Sequence, residues 1–233
     1  MKAPQSATYK RGRILSCPSV KTGSSSISPG IHLLGRTKKD GLLYIPKNYT
    51  HDVAAAFAIM LHGSGGDAEH GLSLIQSYAD DYNIILLCPV SRSYTWDIIV
   101  DNNFGDDVRA IDKAMMFVFE EFSINSLRVA IGGFSDGASY ALCLGLTNGD
   151  IFTHVLALSP GFFYTVENNG SPKIFISHGV KDNVLPIDGC SRRIVPKLQK
   201  QNLSVNYQEF DGYHELPPYV SEKAVKCFFS LSL

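Results

Sequence analysis

The sequence predicts an α/β fold, a mostly parallel central sheet with helices on both faces. Short uninterrupted apolar runs recur along the chain, as in strands buried on both sides. Stretches with helical apolar spacing separate them, the alternation that builds parallel sheets. Glycine-rich turns follow several of the runs directly, and in such sheets ligands sit beyond the carboxyl ends of the strands.

Taken in order, residues 1–30 are rich in Ser, Pro, Lys and Gly without a sustained period. They read as a basic, acid-free, loosely structured lead-in to a single domain over 31–233. Strands are expected at 41–46 (stopped by Pro46), 55–61, 84–89, 127–131, 154–158, 173–177 and 203–210. Helices are expected at 68–81, 104–122, 136–146, 187–201 and 217–229. In the second of these, Val108, Ile111, Ala114, Met115, Val118 and Phe122 share one face, and Asp106 and Asp107 favour its N-terminal dipole. Residues 90–103 and 160–171 are left as loops, and no insertion is long enough to form a separate cap domain.

Composition removes several function classes. Among 233 residues, 45% are hydrophobic and 18% charged, an ordinary globular balance. The longest apolar run, Val53 to Leu61, spans nine residues, against the roughly 20 of a membrane helix. The net charge of −1 argues against nucleic acid as a partner. That total hides an asymmetry. Residues 1–39 carry eight Lys or Arg and no acid, leaving 13 basic against 22 acidic side chains, a net of −9, in the remainder. Such a body does not suggest a strongly anionic substrate. The five cysteines, Cys17, Cys88, Cys143, Cys190 and Cys227, form no CxxC pair. With no apolar secretion signal at the start, free thiols and a cytoplasmic location are expected. The acid-free lead-in has two readings: an organelle transit segment, or an edge strand packed on the acidic body.

The chemistry begins at Gly133-Phe134-Ser135-Asp136-Gly137, a GxSxG pattern. Alone it is weak, since a glycine-rich strand–helix turn with an ordinary serine would match. Its context, strand before and helix after, is what a nucleophile elbow requires. The turn is tight enough that side chains at Gly133 and Gly137 would collide. A serine hydroxyl needs a base, and His214, in the loop between the last strand and last helix, is the candidate. An orienting acid should lie between the two in chain order. Asp182 follows the strand at 173–177; Asp211 is a rival, but stands only three residues before His214. Each residue alone has a bland reading, a surface loop histidine or an Asp-Asn turn. The order Ser135, Asp182, His214, each after a separate strand, is the specific signal.

An acyl-transfer site also needs two N–H donors for the developing oxyanion. The backbone N–H groups of Ser64, in Leu61-His-Gly-Ser-Gly-Gly-Asp67, and of Asp136 are assigned, with Gly65 as fallback. The loop lacks the lysine of a phosphate-binding P-loop. His62, Asp67, Glu69 and His70 have no HExxH spacing, so neither metal nor cofactor is expected. Aromatic residues on the two loops, Trp96, Phe162 and Phe163, are expected to form an apolar wall for an acyl or alcohol group, although they would equally serve to cap the sheet edge.

These residues resemble the α/β-hydrolase fold. More narrowly they are similar to the phospholipase/carboxylesterase family of small serine esterases, which includes acyl-protein thioesterases and lysophospholipases. The resemblance runs from about residue 31 to 229 and rests on LHGSGGD at 61–67, GGFSDG at 132–137, HGVKDNVLP at 178–186 and FDGYHELP at 210–217. It implies Ser135, Asp182 and His214 as nucleophile, acid and base, and Ser64 and Asp136 as oxyanion donors. The thioesterase subgroup usually has Gln where Asp136 stands and Leu where Ser64 stands, which weakens the inference to long acyl-protein substrates. Dienelactone hydrolases, similar in size, use cysteine at the elbow. The expected protein is a monomeric or homodimeric hydrolase of small acyl esters or thioesters with short to medium chains. The alternative from another class is a binding or receptor module that kept the scaffold.

Overall fold

The computed structural model describes residues 5–18 and 25–230. Eight strands, β1 (Gly30–Leu33), β2 (Leu42–Ile45), β3 (Ala55–Leu61), β4 (Ile84–Cys88), β5 (Ile124–Phe134), β6 (His154–Leu158), β7 (Lys173–Gly179) and β8 (Val205–Phe210), form one sheet in the order β1-β2-β4-β3-β5-β6-β7-β8. The β1–β2 and β2–β4 pairs are antiparallel; β4 through β8 run parallel.

The helices are α1 (Gln5–Tyr9), α2 (Ala68–Ser73), α3 (Asp97–Val100), α4 (Asp106–Glu121), α5 (Asp136–Thr147), α6 (Ser191–Lys200) and α7 (Pro218–Phe229). Alternation along β3 explains the two layers. Phe57, Ile59 and Leu61 point into the core shared with α4, α5 and α6. Ala56, Ala58 and Met60 point into the one shared with α2 and α7. No helix among the described residues is long and apolar enough to cross a membrane.

The connection from β3 runs to β4 on one side, and the chain then crosses back to β5 on the other. This reversal is a topological switch point, where the loops leaving the two strands diverge and open a crevice. The turns after β3 and β5 carry Ser64 and Ser135.

Several elements depart from the sequence expectation. The helix expected over 68–81 splits into α2 and a 3-10 turn, Gln76–Tyr78, because Ile75 turns out of helical conformation (φ −143°) and buries its side chain. Strand β5 starts at Ile124, three residues before the expected 127: its pairing skips from Ala55↔Ile124 to Phe57↔Val129, and residues 125–128 between bulge outward. The helix expected from 187 begins at Ser191, after a turn in which Gly189 N–H donates to Pro186.

The acid-free segment is ordered where it is described. Tyr9 donates to Asp112 of α4 at 2.9 Å, and the same carboxylate accepts from the Leu15 and Ser16 N–H groups. Arg13 grips Asp150 with two hydrogen bonds, and Arg11 pairs with Glu167. Buried Asn148, at the end of α5, accepts from Ile14 N–H at 2.8 Å and donates to Gly12 C=O at 2.8 Å. This is a strap laid over the helices, not the edge strand expected; the sheet edge is β1. Residues 1–4 and 19–24 of the lead-in, and 231–233, lie outside the described residues.

Candidate active site

Ser135 stands between β5 and α5 with φ 58° and ψ −119°, a left-handed conformation that costs a non-glycine residue energy. The neighbouring backbone enforces it. A side chain on Gly137 would strike the carbonyls of Leu61 and His62, and one on Gly133 would meet the Gly137 backbone at 2.5 Å. The strained turn aims Ser135 Oγ at His214 Nε2, 2.9 Å away.

His214 Nδ1 lies 2.6 Å from Asp182 Oδ2. The other oxygen of Asp182 accepts from the N–H groups of Val184 and Leu185, at 3.0 and 2.8 Å. Burial alone would raise this carboxyl's pKa. The hydrogen bonds from His214 and the two amides outweigh it and hold the group below the usual range. The carboxylate therefore stays charged and selects the His214 tautomer with its proton on Nδ1, leaving Nε2 free to accept from Ser135. Asp211 is turned outward and paired with Lys181 at 2.6 Å.

Behind Asp182 sits a residue not singled out from the sequence. His178, wholly buried at the end of β7, donates from Nε2 to Leu185 C=O at 2.8 Å and takes Ser191 Oγ at Nδ1. Its Nε2 is also 3.2 Å from Asp182 Oδ2, so it braces the acid's turn. Burial lowers its pKa and favours the neutral ring. A polar side chain at the inner end of a buried strand was the available signal.

The turn after β3 lies against the elbow: a Cβ on Gly63 would touch Ser135 Cβ at 3.4 Å. Gly65 is excluded as a donor, because its N–H is already given to Tyr94 C=O at 2.9 Å. The N–H of Ser64, and that of Asp136 in the first turn of α5, take no protein acceptor among the described residues. The Asp136 carboxylate accepts from Thr95 Oγ at 2.8 Å. His62 and His70, weighed as metal ligands, are otherwise engaged. His62 donates from Nδ1 to Gly63 C=O and accepts Ser91 N–H at Nε2, while His70 packs edge-on against Phe134.

Trp96 does not belong to a substrate wall. It is fully buried, stacked on Tyr140 at 5.1 Å and tilted on His62 at 4.7 Å, and its Nε1 donates to His62 C=O at 3.0 Å. The expected loop at 90–103 contains α3, which turns Trp96 inward. Phe162 does line a cavity of about 530 Å³, with Ile98, Ile99, Asn102 and Tyr164. Phe163 is half-buried against the helical core instead.

The sequence profile of the phospholipase/carboxylesterase family matches residues 100–231, a stretch that holds Ser135, Asp182 and His214. A protein of Aspergillus flavus named probable feruloyl esterase C is 27% identical over 168 residues, covering 69% of this chain and 60% of that protein. The chain thus spans less than two thirds of the curated relatives it matches. Among solved structures, a phospholipase/carboxylesterase from Dyadobacter fermentans superposes with TM-score 0.59 at 19% identity, over 90% of this chain and 99% of that one. An S-formylglutathione hydrolase from Staphylococcus aureus does so with TM-score 0.66 at 16% identity, over 88% and 100%. At these identities the structural likeness concerns the fold.

Proposed function

The chain belongs to the phospholipase/carboxylesterase family, and from that premise we propose that it is a serine hydrolase of carboxylic esters acting through Ser135, His214 and Asp182. The observation that carries the reading is the continuous hydrogen-bonded line from Ser135 through His214 to Asp182, anchored on a strained elbow.

His214 Nε2 takes the Ser135 proton as Oγ bonds to the substrate carbonyl carbon. Negative charge develops on the carbonyl oxygen, and the N–H groups of Ser64 and Asp136 receive it. The imidazolium, stabilised by Asp182, gives its proton to the departing alkoxide, which leaves as the alcohol. Water then attacks the acyl-enzyme by the same route in reverse roles and frees the acid.

The departing group must stand beside His214, whose loop follows β8. The 530 Å³ cavity is walled by α3, which follows β4, and by the segment after β6. Neither wall belongs to the loop after β8 that carries His214, and we assign the cavity to the acyl side of the ester. Two isoleucines, two aromatic rings and one amide fit an apolar or aryl acyl group of medium size. The relatives' name points to the same class, a feruloyl group being aryl. Thioesters and lysophospholipids are the finer alternatives within the same chemistry.

The test is hydrolysis of p-nitrophenyl butyrate. Wild-type protein should turn it over, and Ser135→Ala should lower kcat by roughly 10⁴-fold or more. A fluorophosphonate should label wild type and leave the variant unlabelled. A folded Ser135→Ala variant with its rate intact would sink the assignment. Folded wild type that neither reacts nor labels would favour a receptor on a hydrolase scaffold.

A further inference from the structure

Three consecutive residues touch both halves of the oxyanion site. Tyr94 C=O holds Gly65 N–H, Thr95 Oγ holds the Asp136 side chain, and Trp96 Nε1 holds His62 C=O. The first and third grip the turn that carries Ser64; the second grips the residue after the nucleophile. This bridge has a buried anchor immediately behind it. Asp97 and Asp107 exchange hydrogen bonds, Asp97 N–H to Asp107 Oδ2 at 2.8 Å and Asp107 N–H to Asp97 Oδ2 at 3.1 Å. Each carboxylate thereby caps the helix the other begins, and Gly105, with no side chain to cap α4, gives its own N–H to Asp97 at 2.8 Å. The remaining oxygens take Tyr140 OH from α5, at 2.8 Å, and Arg92 N–H, at 2.7 Å.

We propose that the Asp97–Asp107 clasp positions the Tyr94–Thr95–Trp96 bridge and thereby sets the spacing of the two oxyanion donors. Asp97, Asp107 and Tyr140 are positioning residues, since none of them reaches the substrate. The inference rests on the reading of Ser64 and Asp136 as those donors.

The clasp requires charged carboxylates. Both oxygens of Asp107 accept from an N–H, bonds that a charged carboxylate holds more strongly than a protonated carboxyl does. Burial pushes the Asp107 pKa up to about 6, with the Asp97 charge adding to the rise and the Arg92 and Asp97 amides opposing it. Burial likewise raises Asp97, against the bonds from Tyr140, Gly105 and Asp107. The charged groups facing the pair are Arg92 before α3, Lys10 of the strap, Asp101 after α3, and Asp106 and Arg109 of α4. The bridge should therefore loosen as pH falls through about 6.

Trp96 is the only tryptophan in the chain, so its fluorescence reports the bridge without reference to activity. The experiment compares wild type, Asp97→Asn, Asp107→Asn and Tyr140→Phe. In the three variants Trp96 emission should shift to longer wavelength and gain acrylamide accessibility, while far-UV circular dichroism is kept. Their kcat should fall about 10- to 100-fold with KM within about twofold, the loss expected when a donor is misplaced without being removed. In wild type the same emission change should follow acidification with a midpoint near 6, and Asp107→Asn should abolish that step. His62, whose protonation also quenches Trp96, titrates below its ordinary value because burial lowers it, and its step should remain in the variant. Folded variants with wild-type kcat, or with unshifted Trp96 emission, overturn the proposal, whatever their melting temperature. Wild type without esterase activity overturns the function reading alone; the fluorescence arms still decide the clasp. If Asp97→Asn does not fold, Tyr140→Phe, which keeps both carboxylates and removes one bond to Asp97, decides it.

Discussion

Replacing Asn148 by alanine tests whether the N-terminal strap is part of the fold. The Asn148 side chain is wholly buried and makes three hydrogen bonds: it accepts from Ile14 N–H at 2.8 Å and donates to Gly12 C=O at 2.8 Å and Leu144 C=O at 2.9 Å. Leu144 C=O keeps a partner in the Asn148 backbone N–H. Ile14 N–H and Gly12 C=O, both on buried residues, would be left with none among the described residues. Each orphaned group costs about 1–3 kcal/mol, so Asn148→Ala should lose about 3 kcal/mol. The strap's detachment sets the ceiling, since it would expose Ile14 and break the Arg13–Asp150 pair. In a chain of this size 1 kcal/mol moves Tm by about 2–4 °C, which predicts a drop of roughly 6–12 °C by calorimetry. The control is Asn168→Ala, which removes an exposed bond to Gln201; exposed contacts of that kind move stability by about 0.5 kcal/mol or less. If Asn148→Ala melts within 2 °C of that control, the strap is a passive tail and the argument from buried hydrogen bonds is wrong.

Two further outcomes follow from the site. Asp182→Asn should lower kcat by roughly 10³- to 10⁴-fold through the wrong His214 tautomer, with Ser135 still in place. Because the folded-state pKa of Asp182 is lowered, its stabilisation is full above about pH 4, the unfolded value, and is lost as pH falls through the folded value; the variant should therefore lose less stability than wild type on acidification below pH 4. Phe162→Ala opens one wall of the 530 Å³ cavity. For a partly buried ring that removes about 1–2 kcal/mol of apolar contact, so kcat/KM for p-nitrophenyl hexanoate should drop about 5- to 30-fold while the acetate ester stays within about twofold. Equal losses for both esters would place the acyl group elsewhere.

The positions of Ser135, Asp182 and His214 on separate loops were legible because they depend on local signals. Each follows an apolar strand run, and glycines mark the turn where the backbone must pass close to β3. Trp96 was misread for the opposite reason. In Ser-Tyr-Thr-Trp-Asp it looks like an exposed loop aromatic, and its burial comes from Tyr140 and His62, 44 and 34 residues away in sequence. That the basic lead-in packs on the acidic body was read from its charge, but its form as a strap was not legible, because it is held by side-chain bonds to Asp112, Asn148 and Asp150, which leave no period in its own sequence. Likewise Ile75 ends α2 by reaching for the core, a tertiary demand that overrode the helical pattern.

The order of the strands also bears on how the proposed activity would be gained. The groups proposed to react with substrate come from the turns after β3, β5, β7 and β8, and Ser64 and His214 are 150 residues apart. Since β5, β6, β7 and β8 are neighbours in a parallel sheet, His214 reaches Ser135 only when all four strands are in register. Each parallel pairing closes a long loop before it is rewarded, which makes the assembly slow. β8 and its loop come after every other described strand in the chain. A nascent chain or proteolytic fragment that stops before β8 therefore carries a serine without its base. Recovery of ester hydrolysis during refolding would be a clock for completion of the sheet, later than the return of helical signal.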